Sequence, residues 1–251
     1  MRDMRDPEHS TLWRISEFER LQAGGQDGAP MGTAPSTMLG STLQAELYRL
    51  YAHTETNDVL EVMAACLRHR ESALLHMSMA PYVWSVTLFP IQGLFHAPRD
   101  VADPVVAAGM GQMKLLSAER AGLRPPGHIM AERVAAPDKY RPLARLLWAM
   151  AVYGPRPTLL TEISGRSAYR LAPGRGEDRP VPTGALAPAV SRLRAEAASL
   201  REMSRWPGMS LERACRLLNA LYLTDSLMVM RSHPQARREP LDWARLLGRR
   251  R

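Results

Sequence analysis

The stretch "WPGMSLERACRLLNALYLTDSLMVM", from Trp206 to Met230, constrains the fold more than any other part of the chain. Pro207-Gly208 is a helix stop and turn. Ser210 stands where an N-cap is needed, and Glu212 suits the first helical turn. Leu211, Ala214, Leu217, Leu218 and Leu221 then recur at helical spacing, a stripe that must be buried. "SLMVM" follows as a short apolar strand. Upstream, a helix over 187–198 turns Val190, Leu193 and Ala197 inward. "SLRE" at Ser199–Glu202 is a capping box that starts a short helix containing Leu200, Met203 and Trp206. Three helices and a strand in this order give a winged-helix-like unit over 183–235.

The earlier part of the chain reads as a mixed unit over 39–182. "STLQAELYRLYAHTET" is a helix with Leu43, Leu47, Leu50 and Tyr51 on one face. "NDVLEVMAACLRHRESALLHM" fits either a strand at 59–63 with a second segment or one long helix. Val83 to Ala97 reads as a hairpin, being rich in β-branched and aromatic residues around the turn "PIQG". "PVVAAGMGQMKLLSAERAG" reads as a helix weakened by Gly109 and Gly111. "RPLARLLWAMAVYG" is a helix from about Pro142 to Tyr153, with Leu143, Leu146, Leu147 and Met150 inward and Gly154 as its stop. "TLLTEISGRSAYRLAP" reads as a second hairpin turning at Ser164–Arg166. The class is therefore α+β, a mixed helix and hairpin unit followed by a helical one. Its expected core includes Leu47, Leu50, Val86, Leu88, Leu146, Leu147, Leu193, Leu217, Leu218 and Leu221.

Both ends read as appendages. Residues 1–38 form a tail with one short amphipathic helix: Ser10 is its N-cap, and Leu12, Ile15, Phe18 and Leu21 recur at i+3 with Trp13 beside them. These five residues are the candidate partner-docking set, and packing on the chain's own domain is the competing reading. The Gly/Pro/Ser-rich run after them is a linker. Residues 236–251 form a basic amphipathic tail with Trp243, Leu246 and Leu247 on one side and three terminal arginines.

The charge is uneven. The net charge is +8, yet from residue 187 onward there are thirteen arginines against six acids, so +7 falls on the last quarter. With 31 arginines and only two lysines, a GC-rich genome is a competing source of the bias. A basic C-terminal quarter invites a polyanion as partner. On the helical face opposite the leucine stripe stand Arg213, Arg216 and Asn219, residue types that read base edges. Arg201 and Arg205 would lie on phosphates, with Arg231 and the terminal arginines.

Catalytic and metal signals are weak. Neither G-x-S-x-G nor a Walker loop occurs, and "GMGQMK" lacks the third glycine of a phosphate cradle. Cys66, His69 and His76 could share a helical face, but the spacing is not that of a zinc site. The reading is no enzyme, no cofactor and no metal. Two cysteines give no disulfide framework, and no apolar run approaches a membrane span or a signal peptide, so the expected place is the cytoplasm.

Three stretches together resemble PATAN-type bacterial regulatory domains. "TLQAELYRLYAHTETNDVLEV" is similar to the family's opening helix and turn into a short strand, with Thr56, Val59, Leu60 and Val62 at the matching places and Asn57-Asp58 where the family has glycine. "VTLFPIQGLFHAP" resembles its later hairpin through Gly93 and Ala97. "SLREMSRWPGMSLERACRLLNALYLTDSLMV" resembles the helical module such proteins carry. The resemblance implies a non-catalytic signalling component that works through protein–protein contacts, with no catalytic residues to transfer. The expected function is therefore that of a cytosolic bacterial regulatory protein with an unidentified protein partner. The alternative is a winged-helix transcriptional regulator that binds DNA.

Overall fold

The computed structural model describes residues 12–24, 39–53, 58–174 and 180–232. The chain is α+β and divides after Arg156 into two compact units.

The first unit begins with a two-residue strand, β1 (Trp13–Arg14), which runs into α1 (Ile15–Gly24). Two helices follow, α2 (Ser41–His53) and α3 (Val59–His69), packed on each other. The chain then forms β2 (Ala73–Met79), β3 (Tyr82–Phe89), β4 (Leu94–His96), α4 (Pro104–Gly109), β5 (Lys114–Arg120), β6 (Tyr140–Pro142) and α5 (Leu143–Tyr153). The strands make one antiparallel sheet in the order β5-β2-β3-β4-β6, and β1 adds to β3 beside Tyr82 and Val83.

Local chemistry explains most of these elements. Asp58 caps α3, its carboxylate accepting from the Leu60 and Glu61 amides at 2.9 and 3.3 Å. Arg68 and His69 complement the dipole in the last turn. Arg70, at φ 50°, closes the helix in the left-handed region. The disputed stretch is thus one helix followed by a strand, neither of the two readings the periodicity allowed. β2 alternates: Ala73, Leu75, Met77 and Met79 are buried, and Leu74, His76 and Ser78 half-buried. Opposite the buried set lie Trp84, Val86 and Leu88, also fully buried, in register with Met77, Leu75 and Ala73. The expected hairpin is present as β3 and β4, with Thr87 opposite His96 and Phe89 opposite Leu94.

"PVVAAGMGQMKLLSAERAG" is helical only as far as Gly109. A Cβ on Gly109 would fall 2.7 Å from that of Met79, so the close approach requires glycine. A 3-10 turn then leads into β5, which pairs along β2 with a register shift between His76 and Met77. α5 is as read, with Leu143, Leu146, Leu147 and Met150 buried.

The second unit contains β7 (Ala168–Leu171), α6 (Leu186–Ala195), β8 (Ala198–Ser199), α7 (Leu200–Met203), α8 (Leu211–Leu223) and β9 (Leu227–Met230). Its sheet has the order β8-β7-β9. This moves the boundary expected at 182/183 to 156/157. β7 is no arm of a local hairpin at Ser164–Arg166; its ladder partners are β8, with Ala168 opposite Ser199, and β9, with Ala168 opposite Met230 and Leu171 opposite Leu227. The wing of a winged helix is a hairpin of neighbouring strands, whereas here the strand beside β9 comes from ahead of α6. The succession α6, β8, α7, α8, β9 agrees with the helical outline read from the sequence.

The capping box is formed. The Ser199 hydroxyl accepts from the Glu202 amide at 3.4 Å, and the Glu202 carboxylate accepts from the Ser199 amide at 2.7 Å. Ser199→Ala should lower the stability of this unit by about 1 kcal/mol, read from its denaturant midpoint. Gly208 sits at φ +73°, and its missing Cβ would fall 2.8 Å from that of Ala185, so the turn into α8 needs glycine. The Ser210 hydroxyl accepts from the Arg213 amide at 3.1 Å. Of the expected core, Leu50 alone is only half-buried; Leu47, Val86, Leu88, Leu146, Leu147, Leu193, Leu217, Leu218 and Leu221 are all buried. Leu211 is not part of the buried stripe, being 57% exposed in the first turn of α8.

Two further expectations change at the N-terminus. The helix starts at Ile15 because Trp13 and Arg14 are taken into the sheet. Leu12 and Trp13 therefore stand ahead of it, and Ser10 lies outside the described residues. The tail over 236–251, including Trp243, lies outside them as well.

Candidate functional site

The face of α8 that was expected to read bases is covered by its own unit. The segment 157–163 lies along it, with Leu160 and Ile163 buried. Asn219 is fully buried, which corrects its assignment as a nucleic-acid contact. Its side-chain oxygen accepts from the Leu160 amide at 2.9 Å, and its nitrogen donates to the Thr158 carbonyl at 2.9 Å. A fully buried amide, anchored through both its oxygen and its nitrogen, is out of reach of an adenine edge. One turn on, the Tyr222 hydroxyl donates to Glu162 at 2.5 Å. From β9's end, Arg231 donates to the Glu162 carbonyl at 2.8 Å. The Tyr169 hydroxyl on β7 donates to the Ile163 carbonyl at 2.7 Å. The segment is therefore stitched to α8, to β7 and to the residue after β9.

Only the first turn of α8 is open. Leu211, Glu212 and Arg213 are exposed there. Arg213 turns back to the Gly208 carbonyl at 2.7 Å. Arg216 is mostly covered and pairs with Glu212 at 2.9 Å, one turn earlier. Arg201 and Arg205 are exposed on and just after α7. Arg201, Arg205 and Arg213 thus offer positive charge at this end of the unit, and Leu211 adds an apolar contact.

The expected docking set divides. Trp13 lies opposite Val83 in the sheet and stays 44% exposed. The Ile15 amide donates to the Pro81 carbonyl at 3.1 Å. Phe18 is buried, its ring 4.8 Å from that of His76. Leu12 and Ile15 are half-buried; Leu21 lies in α1, outside the residues whose side chains are described. The segment is seated on its own unit, the competing reading of the sequence.

Beneath Phe18 lies a polar cluster that sequence reasoning missed. His76 on β2 is flanked across the sheet by Ser85 on β3 and Ser117 on β5. Its Nδ1 is 2.7 Å from the Ser85 hydroxyl, and its Nε2 is 3.9 Å from the Glu119 carboxylate. The Ser117 hydroxyl donates to the same carboxylate at 3.2 Å. Burial holds the His76 imidazole below its ordinary pKa of about 6.5, and the Glu119 charge only partly offsets this. A serine beside a histidine beside a glutamate is the arrangement of an activated nucleophile, but here the base is 13% exposed and faces an aromatic ring.

The histidine and cysteine pattern read on one helix is split. Cys66 and His69 are on α3, and His76 is on the sheet. Cys66 is a buried free thiol that desolvation pushes up to about 12, so it is unreactive. His69 pairs with Glu46 of α2 at 2.6 Å. No group of three or more candidate metal ligands occurs among the described residues, and no helix among them is long and apolar enough to cross a membrane. Comparison with family profiles, curated proteins and solved structures returns no match to the chain.

Proposed function

We propose that the protein is a non-catalytic bacterial regulatory component that acts in the cytoplasm by binding another protein. The observation that supports this is the covered face of α8. The segment 157–163 and Asn219 close the surface a base-reading helix would need, and leave exposed in the first turn of α8 an apolar residue, Leu211, next to Glu212 and Arg213. An exposed leucine beside charged side chains has the mixed character of a protein contact. The seating of Phe18 over His76 supports a structural role for the polar cluster. A PATAN-type signalling module fits this reading.

The DNA-binding alternative draws on the arginines of the last quarter, and one experiment separates the two. The full chain is titrated with random duplex at 50 and 200 mM salt. Protein binding as the main activity predicts weak association that Arg213→Ala and Arg216→Ala change little. A sequence-preferring shift lost on those substitutions would overturn the proposal; each neutralised phosphate would add about 0.9 to the salt slope. In parallel, Leu211→Asp should abolish capture of the cognate partner while leaving the melting transition in place.

A further inference from the structure

Among the described side chains and backbone groups, residues 12–24 meet the first unit in two ways. β1 contributes two ladder positions, Trp13 opposite Val83 and Arg14 opposite Tyr82, extended by the Ile15 amide on the Pro81 carbonyl. α1 contributes Phe18, a buried ring set on His76 at 4.8 Å. The edge of β3 is shared: β4 holds Thr87 to Phe89, and β1 holds only Tyr82 and Val83.

We propose that residues 12–24 are a proton-released cover, docked on the sheet through β1 and through Phe18 over His76, and set free when His76 is protonated. Release opens the β3 edge at Tyr82 and Val83 and the polar face formed by His76, Ser85, Ser117 and Glu119. The inference stands apart from the function proposed above.

The thermodynamics follow from what surrounds the ring. β3 presents Ser85 and β5 presents Ser117 and Glu119; on β2 itself the neighbours on that face are Leu74 and Ser78, neither charged. α1 presents Phe18, while its Glu17, Glu19 and Arg20 are exposed and Arg20 donates to the Ser16 carbonyl. β1 presents the exposed Arg14. Glu119 is thus the acid that faces the ring, and it works against release by favouring the imidazolium. Burial outweighs it and holds the histidine neutral. A group whose folded value is depressed loses stabilisation as the pH falls: docking is at full strength above about 6.5 and weakens below it. The loss is up to tenfold per pH unit, until the pH reaches the docked value. Linkage also requires the converse, that removing the cover raises the His76 pKa.

Hydrogen exchange of the full chain, followed by mass spectrometry at pH 7.5 and 5.0 and corrected for intrinsic exchange rates, tests this directly. Peptides over 12–24 and 80–86 should lose protection at pH 5.0 relative to pH 7.5 in the wild type. They should stay protected in His76→Gln, which keeps a polar group for Ser85 and cannot gain charge in this range. Equal protection of the wild type at both pH values overturns the proposal, as does equal loss in His76→Gln. A second reading does not depend on that variant folding. The His76 ring resonance is titrated by NMR in the wild type and in Phe18→Ala, and its pKa should move up in the latter. An unchanged value overturns the proposal too.

Discussion

Arg156→Ala is expected to destabilise the first unit by about 3–5 kcal/mol, the range for breaking a buried ion pair from one side. The Arg156 guanidinium bonds the Asp58 carboxylate and reaches Glu61 at 2.9 Å. All three side chains are largely covered, at 13%, 17% and 7% exposed. Removing the cation leaves two carboxylates facing one another with little access to water. Asp58 is also the N-cap of α3, so its reorientation toward solvent would loosen the first turn of that helix. Urea unfolding followed by tryptophan fluorescence reads the cost as a shift in midpoint. Replacing all three residues together, Arg156→Met with Asp58→Asn and Glu61→Gln, should recover most of the loss, because no unpaired charge remains. A single-substitution cost below about 1 kcal/mol would mean the carboxylates are solvated in the folded chain, as surface pairs are.

What could be read from the sequence was local. The Ser199–Glu202 box, the Ser210 cap and the Leu217, Leu218 and Leu221 stripe each lie within one or two helical turns, and all three are present in the structure. The hairpin from Val83 was legible because its residues favour strands and its turn is short. β5 was not, since Leu, Ala, Glu and Arg in "KLLSAER" are good helix formers; pairing with β2 decides its state. β2 was hidden in the same way by the adjacent Leu74 and Leu75, which blur the period of two. The unit boundary was misplaced because β7 pairs with a strand nearly sixty residues downstream. The cluster about His76 draws on three strands, His76 from β2, Ser85 from β3, and Ser117 and Glu119 from β5, and no spacing along the chain brings them together. Phe18 was marked as a contact residue, but its partner proved to be the chain itself.

Asn219→Ala is expected to cost the second unit about 2–5 kcal/mol and to leave any affinity for duplex DNA per folded molecule unchanged. The side chain satisfies the Leu160 amide and bonds the Thr158 carbonyl, both in the irregular stretch just ahead of the 3-10 turn Thr161–Ile163. The buried Leu160 amide, left unpaired, costs about 1–3 kcal/mol, and the small cavity at the fully buried Asn219 position adds to it, whereas the Thr158 carbonyl belongs to an exposed residue that water can reach. A base-reading asparagine would behave in the opposite way, tolerated by the fold and required for binding. Chemical unfolding and a mobility shift, run on the same preparation, therefore distinguish the two roles. Asn219→Asp sharpens the test. It keeps an acceptor for the Leu160 amide but sets an anionic oxygen against the Thr158 carbonyl, so it should not rescue the stability. A folded, undestabilised Asn219→Ala chain would mean that the two Asn219 bonds are not what holds segment 157–163 on α8. The buried Leu160 side chain would then be the next to test, with Leu160→Ala expected to open the face.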